Sequence, residues 1–176
     1  MDAARSEEEP MSVFSEEPYD ATTPLDLPPA ALAAIHRTGL RIDGLGSTFD
    51  LAFGALGKAI AAGAFTPSGP AVAIYRGDPM DVFDLDVGFP VDEALSAPLT
   101  VDDVEIEAAE LPSGPAVATT VIGPYDGLGE AWGRLAGEST ALGHSPAGVW
   151  IEVYVSDPSV TAAAELRTDL ILPVQR

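Results

Sequence analysis

The chain has 176 residues, a length typical of one domain or of two small halves that share one core. Hydrophobic residues make up 47% of it and charged residues 20%, which excludes wholesale disorder. Its 28 acidic and 8 basic residues give a net charge of -20, which argues against binding to nucleic-acid phosphates and favours cationic partners.

Cysteine and histidine, the side chains that most often hold zinc, iron–sulfur clusters and haem, are scarce. The chain has no cysteine, which excludes disulfides, thiolate metal sites and cysteine nucleophiles. Its two histidines, His36 and His144, are far apart and have no ligand-type neighbours, so we interpret both as structural. We therefore expect no metal site and no cofactor.

Residues 1–29 differ in composition from the rest of the chain. They hold eight acids, five prolines and one base, Arg5, with no apolar periodicity. This composition predicts a disordered acidic tail, followed by one domain over residues 30–176. A basic start followed by an apolar run is missing, and so is any run of 18 apolar residues. We expect a cytoplasmic protein that does not enter membranes.

The domain contains an internal repeat. Each copy begins with an aromatic residue and Asp, continues through a helical stretch and a Ser-Pro or Ser-Gly-Pro turn, and reaches an apolar strand that ends in Tyr75 or Tyr154. Each copy then closes on a strand with Pro-Val, at Pro90 and Pro173. The repeat predicts two halves, at about 30–95 and 100–176.

Periodicity predicts the order strand, helix, strand, strand in each half. In the first half we expect a strand at about 32–42, a helix buried through Phe49, Phe53, Leu56 and Ile60 and ended by Gly63, and strands at 71–75 and 85–91. In the second half we expect strands at 104–111 and 116–122, a helix buried through Leu128, Trp132, Leu135 and Leu142, and strands at 149–155 and 168–174. Duplicated, this unit predicts an α+β fold with helices on one face of a mostly antiparallel sheet.

The strand at 149–155 carries the main functional signal. Alternation places Val149, Ile151 and the following valines on one face, which we expect to pack against the helices. The other face presents Trp150, Glu152 and Tyr154 together. A carboxylate between two aromatic rings indicates a pocket for a cation, with Glu152 as counter-ion; a solvent-facing sheet surface is the alternative.

Other candidate residues follow from the repeat and from position. Asp169 in the last strand is the repeat equivalent of Asp86. It could join Glu152 on one wall of the cleft, where the two carboxylates would form a dication site or an acid/base pair. The alternative is that Asp169 is an independent surface acid. Tyr75 and Tyr125 could line the same cleft or serve in packing. Trp132 lies on the apolar stripe of its helix and is assigned to the core.

The ordered motifs GPAVAIY, DLDVGFPV, LPSGPAVATTVIGPYDGLGEAW, VWIEVYV and LRTDLILPV resemble the GyrI-like small-molecule-binding domain. That family groups with the effector-binding domains of AraC- and MerR-type multidrug regulators and with SOUL-type proteins. The resemblance covers residues 30–176 and implies a pseudo-two-fold fold with a ligand cleft between its halves. It also implies that acids at Glu152 and Asp169 face the cleft and that Trp150 forms an aromatic wall. Family members usually have Glu where this chain has Asp169.

Three functions follow from the resemblance. The first is a stand-alone binder of bulky hydrophobic cations, since 29 preceding residues are too few for a helix-turn-helix. The second is a hydrolase of cyclopropane-bearing DNA-alkylating drugs that uses Glu152 and Asp169. The third is an interaction module that binds a topoisomerase, because the family is named after an inhibitor of gyrase. We favour the binder, without direct binding to nucleic acid; haem binding ranks below all three.

Overall fold

Ten antiparallel strands and two helices make up the fold of the computed structural model, which describes residues 14, 17–19 and 22–175. The helices are α1 (Leu45–Ala61) and α2 (Leu128–Ala141). The strands are β1 (Thr23–Leu27), β2 (Ala30–Leu40), β3 (Ala71–Gly77), β4 (Phe83–Val91), β5 (Leu99–Val101), β6 (Val104–Leu111), β7 (Gly114–Ile122), β8 (Ser145–Pro146), β9 (Val149–Tyr154) and β10 (Arg167–Gln175). No helix within these described residues is long and apolar enough to cross a membrane.

The order of the strands shows the duplication directly. The sheet runs β1-β7-β10-β9-β3-β4-β2-β6-β5, and β8 pairs with β10. The unit β2-α1-β3-β4 is repeated as β7-α2-β9-β10, and the two units meet where β3 pairs with β9. The predicted α+β fold, with its pseudo-two-fold duplication and its helices on one face, is confirmed.

Small residues let α1 lie close to the sheet. Ala52, Ala55 and Ala59 are buried beside Leu56, while Phe49, Phe53 and Ile60 are only partly buried. The sequence predicted that the larger side chains bury this helix. Because the alanines form the sheet-facing stripe, the two phenylalanines lie at its margin instead. The helix ends at Ala61, and Gly63 follows with a φ of 77° that favours glycine.

Helix α2 packs on the sheet through Leu128, Ala131 and Leu135. The predicted burial of Leu142 is wrong, since the helix ends at Ala141 and the Leu142 side chain is 58% exposed.

Apolar side chains are packed on both faces of the sheet. Trp150 and Tyr154 lie on the side of the helices, whereas Ile151 and Val153 belong to a cluster on the opposite face. The prediction that Val149, Ile151, Val153 and Val155 pack against the helices is therefore wrong. Alternation separates the two faces of a strand but does not say which face the helices cover. The opposite face is buried because residues from β1, β2, β3, β6, β7, β9 and β10 share its cluster.

The chain ahead of the domain is partly built into the sheet. Strand β1 pairs with β7 from Thr23 to Leu27, and Leu27 is buried. The backbone N–H of Tyr19 donates to Oγ1 of Thr120, 2.8 Å away, and Phe14 is buried in the same cluster as Leu27. The predicted disordered tail over residues 1–29 is thus wrong for this strand, whose apolar Leu25 and Leu27 reach the core. The rest of that prediction falls largely outside the described residues.

Candidate functional site

A cavity of about 1130 Å³ lies between α1 and α2, over the centre of the sheet. Its aromatic lining comes from both halves and includes Phe49, Phe53, Tyr75, Phe89, Trp132, Trp150 and Tyr154. Tyr125, which precedes α2, lies at the wall and is 38% exposed. Five residues singled out from the sequence, Tyr75, Tyr125, Trp150, Glu152 and Tyr154, therefore line one cavity.

Period-two alternation explains how β9 contributes three of these residues. Trp150, Glu152 and Tyr154 point to the side that carries the helices, and Ile151 and Val153 point away from it. Across the centre of the sheet, Tyr75 pairs with Trp150 in the register of β3 with β9. Tyr75 on β3 and Tyr154 on β9, which are equivalent in the repeat, thus both lie next to Glu152.

Glu152 accepts hydrogen bonds from three side chains. The hydroxyls of Tyr75 and Tyr154 donate to Oε1 at 3.2 and 2.5 Å, and Nε1 of Trp132 donates to Oε2 at 2.8 Å. The carboxylate is buried, and all three partners are uncharged donors. The aromatic wall therefore fixes the position of the carboxylate without neutralising it.

The cavity changes the acidity of its tyrosines. Burial, and next the charge of Glu152, raise the pKa of Tyr75 and of Tyr154 well above the usual range for a phenol. Burial, followed by the charges of Asp157 and Glu152, raises the pKa of Tyr125 as well. The three hydroxyls consequently stay protonated, and remain hydrogen-bond donors, to a higher pH than a free phenol does.

The rings form a connected set around the cavity. The ring of Tyr154 makes edge contacts with Phe49, Phe53 and Tyr125, with centroids 6.1, 6.3 and 5.9 Å apart. Trp132 and Trp150 meet edge to face, with centroids 5.3 Å apart. Such contacts hold the rings in defined orientations and present flat apolar surfaces to a ligand.

The charges of the lining residues all have one sign. Asp50, Asp78, Asp157 and Glu152 line the cavity, and no Lys, Arg or His among the described residues does so. The carboxylate of Asp157 accepts hydrogen bonds from the backbone N–H and the hydroxyl of Ser159, which lower its pKa. Within the described part of the chain, no group of three His, Asp or Glu side chains could hold a metal ion.

Asp169 does not belong to this site. Its partner across β9 is Val153, while Leu170 lies opposite Glu152, so Asp169 points to the other face of the sheet. There it is fully buried and accepts hydrogen bonds from Nε and Nη2 of Arg167, at 3.0 and 2.8 Å, and from Oγ1 of Thr120, at 2.7 Å. The predicted pair of carboxylates is wrong because the register sets the two acids on opposite faces.

Trp132 is the functional candidate that the sequence analysis placed elsewhere. It lies on the stripe of α2 that was assigned to the core, yet it is only partly buried, lines the cavity and donates to Glu152. Phe49 and Phe53 likewise line the cavity from α1. One feature of the sequence could have identified these residues as cavity lining. Their large rings lie beside small residues, namely the alanine-rich stripe of α1 and the small residues of α2.

Comparisons with known proteins agree with this fold. A family model described as the GyrI-like small molecule binding domain matches residues 28–175, whereas no curated protein is matched. The fold is similar to that of a hydrolase from Listeria innocua (14% identity, TM-score 0.62, covering 91% of this chain and 94% of that one). It is also similar to the C-terminal domain of EcmrR (16%, 0.68, 88% and 97%) and to SAV2435 bound to tetraphenylphosphonium (10%, 0.64, 88% and 93%).

These structures share the fold at low sequence identity, and the family model covers most of the chain. The chain belongs to the family of GyrI-like small-molecule-binding domains.

Proposed function

We propose that this protein captures bulky hydrophobic cations in the cavity between its two helices. The observation that carries the proposal is Glu152, a buried carboxylate held by three uncharged donors inside an aromatic wall. Three further acids and no base line the cavity within the described residues, so a bound cation would meet no opposing positive charge. The tetraphenylphosphonium bound to SAV2435 is a ligand of this class.

Magnitudes assign different roles to the rings and the carboxylate. Burying about 300 Å² of apolar ligand surface at about 25 cal/mol per Å² gives roughly 7 kcal/mol. Contacts between a cation and aromatic faces add about 0.5–2 kcal/mol. The apolar surface therefore supplies most of the affinity, while Glu152 supplies the preference for positive charge.

The test is a fluorescence titration with tetraphenylphosphonium as competitor of a cationic dye, beside a neutral dye of similar size. We expect Glu152→Gln to weaken cation binding about tenfold or more and to leave the neutral dye nearly unchanged. Glu105→Gln is the matched control, since Glu105 is exposed on β6. Equal affinity of the wild type for cationic and neutral dyes would contradict the proposal.

A second candidate function is hydrolysis. One of the proteins with a similar fold is a hydrolase from Listeria innocua, and the Glu152 carboxylate could accept a proton from water beside the Tyr75 and Tyr154 hydroxyls. Asp169 has no part in this candidate because it lies on the other face. Turnover of a cyclopropane-bearing alkylating drug that Glu152→Gln abolishes would support it, and stoichiometric binding without product would reject it. The topoisomerase partner stays a prediction.

A further inference from the structure

A polar cluster on the opposite face of the sheet forms a second concave site. Asp86 on β4 accepts a hydrogen bond from Nη1 of Arg76 at 2.6 Å and lies 2.5 Å from Nδ1 of His36. These three residues border a cavity of about 650 Å³ whose apolar lining includes Leu111 and Val149. The sheet separates this cavity from Glu152, so it is not part of the site described above.

The pseudo-two-fold repeat places an equivalent cluster in the second half. Asp169 is the repeat equivalent of Asp86, and Thr120 lies opposite Asp169 as His36 lies opposite Asp86. Arg167 provides the guanidinium that Arg76 provides in the first half. Both halves thus hold an aspartate that binds an arginine on the same face of the sheet.

In the second half, a short segment of the chain covers this cluster. Nη2 of Arg167 donates to the backbone carbonyl of Glu17 at 3.0 Å, and the backbone N–H of Tyr19 donates to Oγ1 of Thr120 at 2.8 Å. Phe14 is buried against the same face. The Arg167–Asp169 pair and Thr120 therefore recognise one main-chain carbonyl and one main-chain N–H of a peptide.

In the first half, the equivalent groups remain accessible within the described structure. The side chains of Arg76 and His36 are 38% and 43% exposed, against 12% for Arg167. Strand β6 occupies the position beside β2 that β1 occupies beside β7, so the sheet is complete here and only the face is open. The first-half cluster has the polar groups of the covered site, and no segment among the described residues covers it.

The chemistry of the cluster matches a peptide backbone. Asp86 neutralises Arg76, and a guanidinium in such a pair still has N–H groups to offer a carbonyl. If His36 directs Nδ1–H to Asp86, its Nε2 is an acceptor for a main-chain N–H, as Thr120 is in the second half. The apolar floor at Ala109, Leu111 and Val149 would take a side chain.

We propose that the His36–Arg76–Asp86 cavity binds a short, neutral or basic peptide segment of a partner protein. A second copy of this chain is a poorer occupant, because each copy carries a net charge of -20 and uses its own Glu17 and Tyr19 at the equivalent site. Glu110 at the border of the cavity adds to the preference against acidic segments. The polar cluster recognises the main chain of the partner, and the apolar floor of the cavity contacts one apolar side chain.

The test uses three six-residue peptides patterned on residues 14–19, FSEEPY, FSQQPY and FSKKPY, titrated into the full chain and followed by amide chemical shifts. We expect the affinity to rise from the glutamate to the lysine peptide and the shifts to map to Val149, residues 109–111 and Ser113. Arg76→Gln should weaken binding about tenfold. Arg41→Gln, at an exposed ion pair with Asp81, is the matched control and should bind as the wild type does.

Binding of a cationic dye in the main cavity, measured on each variant, reports whether the variant is folded. His36→Ala provides a second variant that leaves the Arg76–Asp86 pair intact, and it too should weaken peptide binding. The proposal is overturned if no peptide shifts these amides at millimolar concentration, if Arg76→Gln binds the peptides unchanged, or if the amides of β3 and β9 around Glu152 respond instead. Self-association of the wild type that Arg76→Gln abolishes would also overturn it, by assigning the cavity to a second copy.

Discussion

The position of Glu152 depends on its three hydrogen-bond donors. The three hydrogen-bond donors are side chains of β3, β9 and α2, so the carboxylate links both halves of the molecule. Removing one donor leaves a buried carboxylate oxygen short of a partner, which costs more than the bond itself contributes. The same loss leaves that oxygen open to a cation.

The variant Trp132→Phe tests whether the loss of one donor lowers stability and strengthens the effect of a bound cation. We expect the substitution to lower the free energy of unfolding by about 1–3 kcal/mol, because Oε2 of Glu152 loses its donor. We also expect a cationic dye to raise its melting temperature more than it raises that of the wild type. Trp150→Phe is the control, since its Nε1 donates to the carbonyl of Gly77 at 3.3 Å and not to Glu152. Equal shifts in the two variants would contradict the explanation.

The tyrosines predict how stability depends on alkaline pH. The pKa of Tyr75 is raised in the folded protein from a usual value of 10.0, so above pH 10 the phenol ionises only in the unfolded chain. The unfolded state then binds fewer protons, and the free energy of unfolding falls by up to about 1.4 kcal/mol per pH unit for this residue. Below pH 10 its contribution is constant. Urea unfolding between pH 8 and 11 should show a shallower decline for Tyr75→Phe; an unchanged slope would refute the shift.

Five of the six proposed ligand-binding residues could be placed in the cavity from the sequence because they depend on alternation along β9 and on the repeat. The sixth, Asp169, could not be placed because its orientation depends on the register between β9 and β10, in which Leu170 lies opposite Glu152. Trp132 could not be assigned because a ring at the margin of an apolar stripe is compatible with core or cavity. That choice depends on how closely α2 approaches the sheet.

At the scale of elements, β2 and β4 approach each other closely at one glycine. A Cβ built on Gly88 would lie 2.2 Å from the carbonyl oxygen of Ala33 and 2.7 Å from the Cα of Ala34, both backbone atoms of the paired strand. Neither atom can move without breaking the pairing that supports α1. Glycine is therefore required at this position by the space between two strands rather than by its φ angle.

We expect Gly88→Ala to lower the free energy of unfolding by about 3 kcal/mol, measured by urea denaturation. Gly57→Ala is the matched control on α1, where the added Cβ has no neighbour within 4 Å. Since alanine favours a helix over glycine, this control should be more stable by about 0.5–1 kcal/mol. Comparable destabilisation of both proteins would show that the close approach is not the cause.

The order of the elements could be predicted from the sequence, because helix and strand periodicities and the repeat are local patterns. Strand β1 could not, since Pro24 lies within it, two more prolines follow it, and only Leu25 and Leu27 mark it as apolar. Its pairing with β7 depends on contacts with residues about 90 positions away. The side of the sheet that carries the helices is equally a property of the whole sheet, as the wrong placement of Ile151 and Val153 shows.

At the scale of the whole molecule, the net charge of -20 acts at longer range than any contact in the cavity. The field attracts a cation before it binds, and salt reduces this range from about 30 Å at 0.01 M to about 8 Å at 0.15 M. We expect the association rate of a cationic dye, measured by stopped flow, to fall about tenfold over this range, with little change in its dissociation rate. A neutral dye serves as control; a cationic rate that is independent of salt would contradict the prediction.

The meeting of two equivalent tyrosines on one carboxylate has a geometric consequence. In the repeat, the position equivalent to Glu152 is Ala73, and the two residues face each other across the centre of the sheet. Among the described residues, Glu152 is the one carboxylate that lines the cavity from a strand of the sheet, and Tyr75 and Tyr154 both donate to it, whereas its equivalent position in the repeat is an alanine. A cation with its charge at one end would place that end at Glu152 and its apolar part against the rings, so one acidic residue breaks the equivalence of the two halves inside the cavity.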